Sequence, residues 1–249
     1  MVVFHPLEDV APRPMDRGTR WSLLGGVAGL VLLVVVTAAD AMTRADGYDM
    51  TRHWISLLQH GGRGWLATFA FGATGLLLLG SVPGFRAAQA DEASTSTAVA
   101  AIPPLVAALG LGLVALAIFP IDPSMEYPVP VDAYVVSTPG RVHSVAGAVV
   151  LGSFAALCWC IADASRRRPG TPGWVPMLAR GSSVVIVGVF FGCSTIVVLS
   201  EAQSWEAARA GAFQRVALLL GGVWLSWYAL ELVSATLRRP TTGSAELEL

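Results

Sequence analysis

Six apolar stretches, each near the ~20 residues that a bilayer crossing needs, recur along this chain at 21–39, 65–82, 98–119, 142–163, 178–199 and 216–236. None holds a charge in its central third, where an Arg or Asp costs about 3 kcal/mol on insertion scales. Asp163 and Glu231 lie toward span ends, within reach of interfacial water. Hydrocarbon offers no partner to an exposed backbone, so lipid-facing segments this long are helical. The expected fold is all-α, a polytopic transmembrane bundle of six helices over 21–236. An N-terminal tail (1–20) precedes it, and a short polar tail (237–249), read as disordered, follows.

Composition agrees. Of 249 residues, 54% are hydrophobic and 13% charged, against roughly 25% charged in an average soluble domain. So few charges cannot cover so much apolar surface in water. Soluble enzymes, disordered chains and nucleic-acid binders are excluded, and the bilayer itself is the first expected partner. The net charge of −1 implies no strong electrostatic partner. All 16 basic residues are Arg, a bias that suits a high-GC bacterial genome.

Those Arg residues also orient the spans. Ten lie in the N-terminal tail, loop 2–3, loop 4–5 and the C-terminal tail, with Arg166, Arg167 and Arg168 consecutive; the other three loops hold six. The positive-inside rule then places both termini in the cytoplasm of a protein of the cell membrane. An alternative for the first span is a cleaved secretory signal, with small residues at Thr37, Ala38 and Ala39. Cys158, Cys160 and Cys193 fall inside apolar runs and read as small buried hydrophobes. Gly25/Gly29, Gly188/Gly192, Ala108/Gly112 and Ala148/Gly152 are small pairs at i,i+4 that would let helices approach closely.

The outer loops carry the chemistry. Loop 1–2 holds Asp40, Arg44, Asp46, Tyr48, Asp49, Arg52, His53, Ser56, His60 and Arg63. Its Tyr48–Leu58 segment, with Met50, Trp54, Leu57 and Leu58 on one helical face, predicts a short amphipathic helix over the bundle mouth. Loop 3–4 offers Asp122, flanked by Pro120 and Pro123, together with Glu126, Asp132 and Arg141, and ends at His143. Asp122 could serve as a base or metal ligand, or simply cap a turn. His143 enters the fourth span at its first turn, where a proton carrier or a satisfied polar contact would both fit. Loop 5–6 holds Glu201, Gln203, Glu206 and Arg209, and Gln214 and Arg215 open the sixth span. Arg215 would present a fixed cation, or snorkel to headgroups.

Together these residues suit a hydrolytic site of Ser–His–Asp type, a zinc site of two His and one carboxylate, or a headgroup pocket. No H-E-x-x-H, G-x-S-x-G or C-x-x-C spacing selects among them. Five segments do form an ordered set: Trp54–Leu58 (WISLL), Ala73–Leu79 (ATGLLLL), Ile118–Pro123 (IFPIDP), Arg141–Gly147 (RVHSVAG) and Phe213–Leu219 (FQRVALL). Over roughly 20–236 the chain resembles the bacterial and archaeal membrane family known as domain of unknown function number 998. The resemblance implies a six-span membrane protein and marks Ser56, Asp122, His143, Gln214 and Arg215, but implies no reaction.

The expected function is binding of a lipid or other amphipathic small molecule on the outer face, as an accessory module with a possible membrane protein partner. In that site Arg52, His53, Arg141, Gln214 and Arg215 hold the ligand. The first alternative is a hydrolase or lipid-modifying enzyme using Asp122, His143 and Ser56; no cofactor is expected, with zinc as an option. The second is a small-solute transporter, weakened because Pro103 and Pro104 lie near the start of the third span and no charge lies at mid-membrane.

Overall fold

The computed structural model describes residues 16–124, 127–128, 136–199 and 209–237, with the side chains of 193–199 and 236–237 left aside. Glu126, Asp132, Glu201, Gln203, Glu206, Arg13, Arg238 and Arg239 lie outside the described residues, as does the Cys193 side chain.

Long helices form where the apolar stretches lie, each extended by a few residues, and one short helix lies between two of them. They are α1 (Arg17–Met42), α2 (Gly64–Ala88), the short α3 (Ala90–Ala93), α4 (Thr97–Ile118), α5 (Thr138–Arg166), α6 (Trp174–Leu199) and α7 (Ala210–Leu237). All but α3 are long and apolar enough to cross a membrane. Among the described residues there is no strand. The starts are set by caps: the Asp16 carboxylate accepts from the Thr19 N–H, and the Ser96 and Ser137 hydroxyls accept from the Val99 and Gly140 N–H groups. Pro103 and Pro104 fall in the second turn of α4, which continues through them.

Packing runs α1 on α2, α2 on α4, α4 on α5, α5 on α7 and α7 back on α1, with α6 added against α5 and α7. Leu23, Leu78, Leu109, Phe154 and Leu225 are among the buried core, whereas Val31, Leu76, Leu111, Val145, Val184 and Leu219 point outward. Such an apolar exterior suits lipid and would be a liability in water.

Backbone approach explains the tightest crossings. A Cβ on Gly75 would lie 2.7 Å from the Gly110 carbonyl oxygen, and one on Gly110 2.9 Å from that of Gly75. Gly29 meets Leu77 and accepts, through its carbonyl, the Thr74 hydroxyl at 2.8 Å. Gly112 is pressed against Val150. Gly152, Gly188 and Gly192, by contrast, have open space where a Cβ would be, so those predicted pairs do not mediate contact. The spacing of small residues does not say which face of a helix meets a neighbour.

The polar residues gather at two ends. At the proximal end, where α1 starts and α7 finishes, Ser22 donates to the Gly80 carbonyl at 2.6 Å and Gln89 to the Tyr228 hydroxyl at 3.0 Å. Asp163 pairs there with Arg180, and Glu92 with Arg168. The distal end carries loops 1–2 and 3–4 and the start of α7.

Candidate functional site

Loop 1–2 does not form the amphipathic helix its spacing predicts. Asp49 instead closes an Asx turn, accepting from the Thr51 N–H and hydroxyl at 2.7 Å each, and these bonds hold its carboxyl below the ordinary carboxylate range. Trp54 is extended, and only Ile55–Gln59 forms a single 3-10 turn. Ile55, Ser56, Leu57 and Leu58 are all buried, so this turn is a plug in the bundle mouth and not a helix lying on its surface.

Residues at the start of α7 hold the plug. Arg215 donates to the carbonyls of Met50 (2.5 Å), His53 (3.1 Å) and Gly211 (2.9 Å), and to the Tyr48 hydroxyl at 2.6 Å. Gln214 Oε1 accepts the Ile55 N–H at 2.7 Å. Arg215 is thereby committed to fixing the loop: its fork collects backbone carbonyls that would otherwise be left unpaired near the membrane.

A second clamp was not apparent in the sequence. The Arg44 side chain is 2% exposed and pairs with Asp40 at 3.0 Å and Asp46 at 3.2 Å. It also donates to the carbonyls of Leu58 (2.5 Å) and His60 (2.9 Å) and to the Tyr127 hydroxyl (2.6 Å). Arg63 adds a second ion pair to Asp40 at 3.0 Å. A buried guanidinium is tolerated only when paired and fully bonded, which this set achieves. The Tyr127 hydroxyl donates a hydrogen bond to Asp46 at 2.9 Å, and burial pushes the phenol up to about 12. Its ring lies edge-on to Tyr48 with centroids 5.5 Å apart and tilted against His53 at 5.2 Å, joining loop 3–4 to loop 1–2. The available signal was Asp40 and Arg44 at i,i+4 on the end of an apolar helix.

Asp122 caps the next element. Its carboxylate accepts the Ser137 N–H at 2.9 Å and hydroxyl at 2.5 Å, while Ser137 caps α5. Gly140 packs directly against it: a Cβ there would lie 1.9 Å from Asp122 Oδ2, so a larger residue would push the carboxylate from its place beside Ser137. Three residues on, His143 is buried, with Nδ1 2.6 Å from the Phe119 carbonyl oxygen. A carbonyl only accepts, so Nδ1 donates to it, and in a neutral imidazole that leaves Nε2 as the acceptor.

Beneath the plug lies a cavity of about 290 Å³. Ser56, Asp122, Ser124, His143, Ser144 and Gln214 supply polar groups to its wall, while Phe71, Leu113, Val150 and Leu151 are part of its apolar lining. Four separated segments meet there: Trp54, Ser56 and Leu57 from WISLL, Ile121 and Asp122 from IFPIDP, His143, Ser144 and Gly147 from RVHSVAG, and Gln214 and Leu218 from FQRVALL. The fifth, ATGLLLL, serves the α1–α2 and α2–α4 crossings through Thr74 and Gly75.

The other sequence candidates stand apart. Arg141 is exposed on the first turn of α5. Arg52 and His53 belong to the loop held by α7, where the Arg52 carbonyl accepts the Gly211 N–H at 3.3 Å and His53 Nδ1 accepts the Asp49 N–H at 2.9 Å. A hydrolytic relay would run Ser to His to carboxylate, whereas the bonds of His143 and Asp122 go to Phe119 and Ser137. Among the described residues, no three His, Cys, Asp or Glu side chains come together as a metal set.

No curated protein and no solved structure matches the chain. The model of one family, described as protein of unknown function (DUF998), matches residues 27–231. The span matched includes all five sequence segments and the whole cavity wall, so the chain belongs to the DUF998 family of proteins of unknown function.

Proposed function

We propose that this integral membrane protein is a binding module whose distal cavity takes an amphipathic molecule with an uncharged, hydroxyl-bearing head and an apolar chain. The observation that carries this reading is the cavity wall, where four separated segments bring hydroxyl, imidazole and amide groups together above an apolar floor. Pockets that are mostly apolar with a few convergent polar groups are the usual form of small-molecule sites.

The wall also selects the head. Among the described residues, Asp122 is its one ionic side chain, already held by Ser137, and no Arg lines it. A phosphate or carboxylate would meet a carboxylate with no cation to offset its desolvation. A hydroxyl can donate to Nε2 of His143 and accept from the wall hydroxyls. Arg215 therefore supports the plug and leaves the head alone. The Arg bias supports an orientation with this end on the outer face of the cell membrane and both termini in the cytoplasm. Presentation of the bound amphiphile to a membrane protein partner is the matching accessory role.

Equilibrium binding of a monoacylglycerol and a fatty acid of equal chain length to the purified protein tests the reading. Preferential retention of the monoacylglycerol is expected. Equal retention, or preference for the fatty acid, would overturn it.

A further inference from the structure

A second and larger hollow, about 610 Å³, lies between α1 and α7. It is a groove along the lipid-facing side, walled by α1 between Leu30 and Ala38 and by α7 between Arg215 and Leu230, with Met50, Ile55 and Phe154 behind. Along α7, from Arg215 to Leu230, this is about 22 Å at 1.5 Å per residue step, which exceeds one leaflet of a hydrocarbon core about 30 Å thick.

Two features say what fills it. On α7 Gly222 and Ser226 are small side chains at i,i+4, but the facing α1 wall is Leu30, Val31, Leu33, Val34 and Val35 until Thr37 and Ala38 at its distal end. Helices of a second copy approach each other through small residues on both partners, so the branched α1 wall suits a flexible chain better than a rigid helix. Polar lining is limited to Arg215 at the distal end, Thr37 and Ser226, and Thr37 spends its hydroxyl on the Leu33 carbonyl at 2.7 Å. The groove also adjoins the cavity. Leu218 lines both, and the Ile55 N–H to Gln214 bond ties a groove residue to a cavity residue across the same wall.

We infer that the α1–α7 groove is the acyl-chain arm of the site: the amphiphile enters sideways from the bilayer, lays its chain in the groove and turns its head past Leu218 into the cavity. This rests on the cavity being a ligand site and assigns the ligand to membrane lipids of the single-chain, neutral-head class.

Two glycines allow each compartment to be filled without disturbing packing. A Cβ on Gly222 would lie 4.0 Å from Leu30, an ordinary contact, and one on Gly147 would meet nothing within 4 Å. The wild type, Gly222→Leu and Gly147→Leu are reconstituted with two monoacylglycerols, one with a diazirine at the chain terminus and one with a diazirine beside the ester. Photolabelled residues are then mapped. In the wild type, chain-end labelling should concentrate on the groove faces of α1 and α7, well above Leu76 or Val184 elsewhere on the lipid-facing surface. Gly222→Leu should reduce it to that background and also deplete ester-side labelling in the cavity.

Chain-end labelling spread evenly around the bundle would overturn the groove assignment, as would full cavity labelling in Gly222→Leu. Cross-links between copies through the groove would overturn it in favour of a dimer. Cavity labelling that is absent in the wild type, or unchanged in Gly147→Leu, would instead overturn the cavity reading beneath it.

Discussion

A Cβ added to Gly211 would lie 2.2 Å from the carbonyl oxygen of His53, so the first turn of α7 and the backbone of loop 1–2 touch with no room for a methyl group. The neighbouring bonds depend on this approach: the Gly211 N–H to Arg52, the Ala212 N–H to Thr51, and the Arg215 fork. Gly211→Ala should cost about 1–3 kcal/mol, because backbone cannot yield as a side-chain tip can. Arg215→Lys should fail to restore the clamp, since an ammonium cannot reproduce the planar fork. Both variants should expose residues 48–60 to protease and lower the apparent Tm in detergent, while Gly147→Ala, which faces open space, should match the wild type.

Asp122 and Ser137 act as one cap on α5. Ser137→Ala alone should cost about 1 kcal/mol as a lost N-cap, and Asp122→Asn a similar amount by giving up one of two accepted bonds. The double variant should cost less than the sum, because the Ser137 hydroxyl that Asp122 serves is already gone. Thermal unfolding of the four proteins checks this; strict additivity would show that the two residues cap independently.

His60 makes stability depend on pH. Burial holds its imidazole below the ordinary value and Arg44 pushes the same way, while the bond to Ile121 and the charge of Asp122 pull it back up. Its buried Nε2 has no hydrogen-bond partner among the described residues, so a proton there would gain none from them. The unfolded chain therefore takes up the proton first as pH falls. Stability should decline once pH drops through about 6.5 and continue to fall toward the lower folded-state value. His60→Asn should flatten that slope, read as apparent Tm between acidic and neutral buffer; an unchanged slope would remove His60 from the account.

How much of this was legible beforehand follows from range. The six long apolar helices were, because a hydropathy window averages over about 20 residues and needs no knowledge of neighbours. Their ends were less so: α1 begins at Arg17 and α5 ends at Arg166, because polar residues extend a helix into the interface. Ser56, Asp122, His143 and Gln214 were singled out, and the structure sets all four on one cavity wall. Arg215 was read as a ligand-holding cation, and its donors go to loop carbonyls instead. Arg44 stands in the sequence as one of many ionisable groups of loop 1–2, and nothing local marks it as a clamp, because a partner that makes it one, Tyr127, is 83 residues away. The helix predicted over Tyr48–Leu58 failed for the same reason. Side-chain period within the loop cannot register carbonyls drawn away by Arg215, more than 160 residues on.

The central claim, that the distal cavity holds an amphiphile with an uncharged head, is tested most directly by native mass spectrometry. Wild type and Gly147→Leu are each exposed to one monoacylglycerol and transferred from the same detergent. The account predicts one retained monoacylglycerol on the wild type and none on Gly147→Leu, with equal apparent Tm in the absence of ligand. Equal occupancy of the two proteins, or an empty wild type, would contradict it.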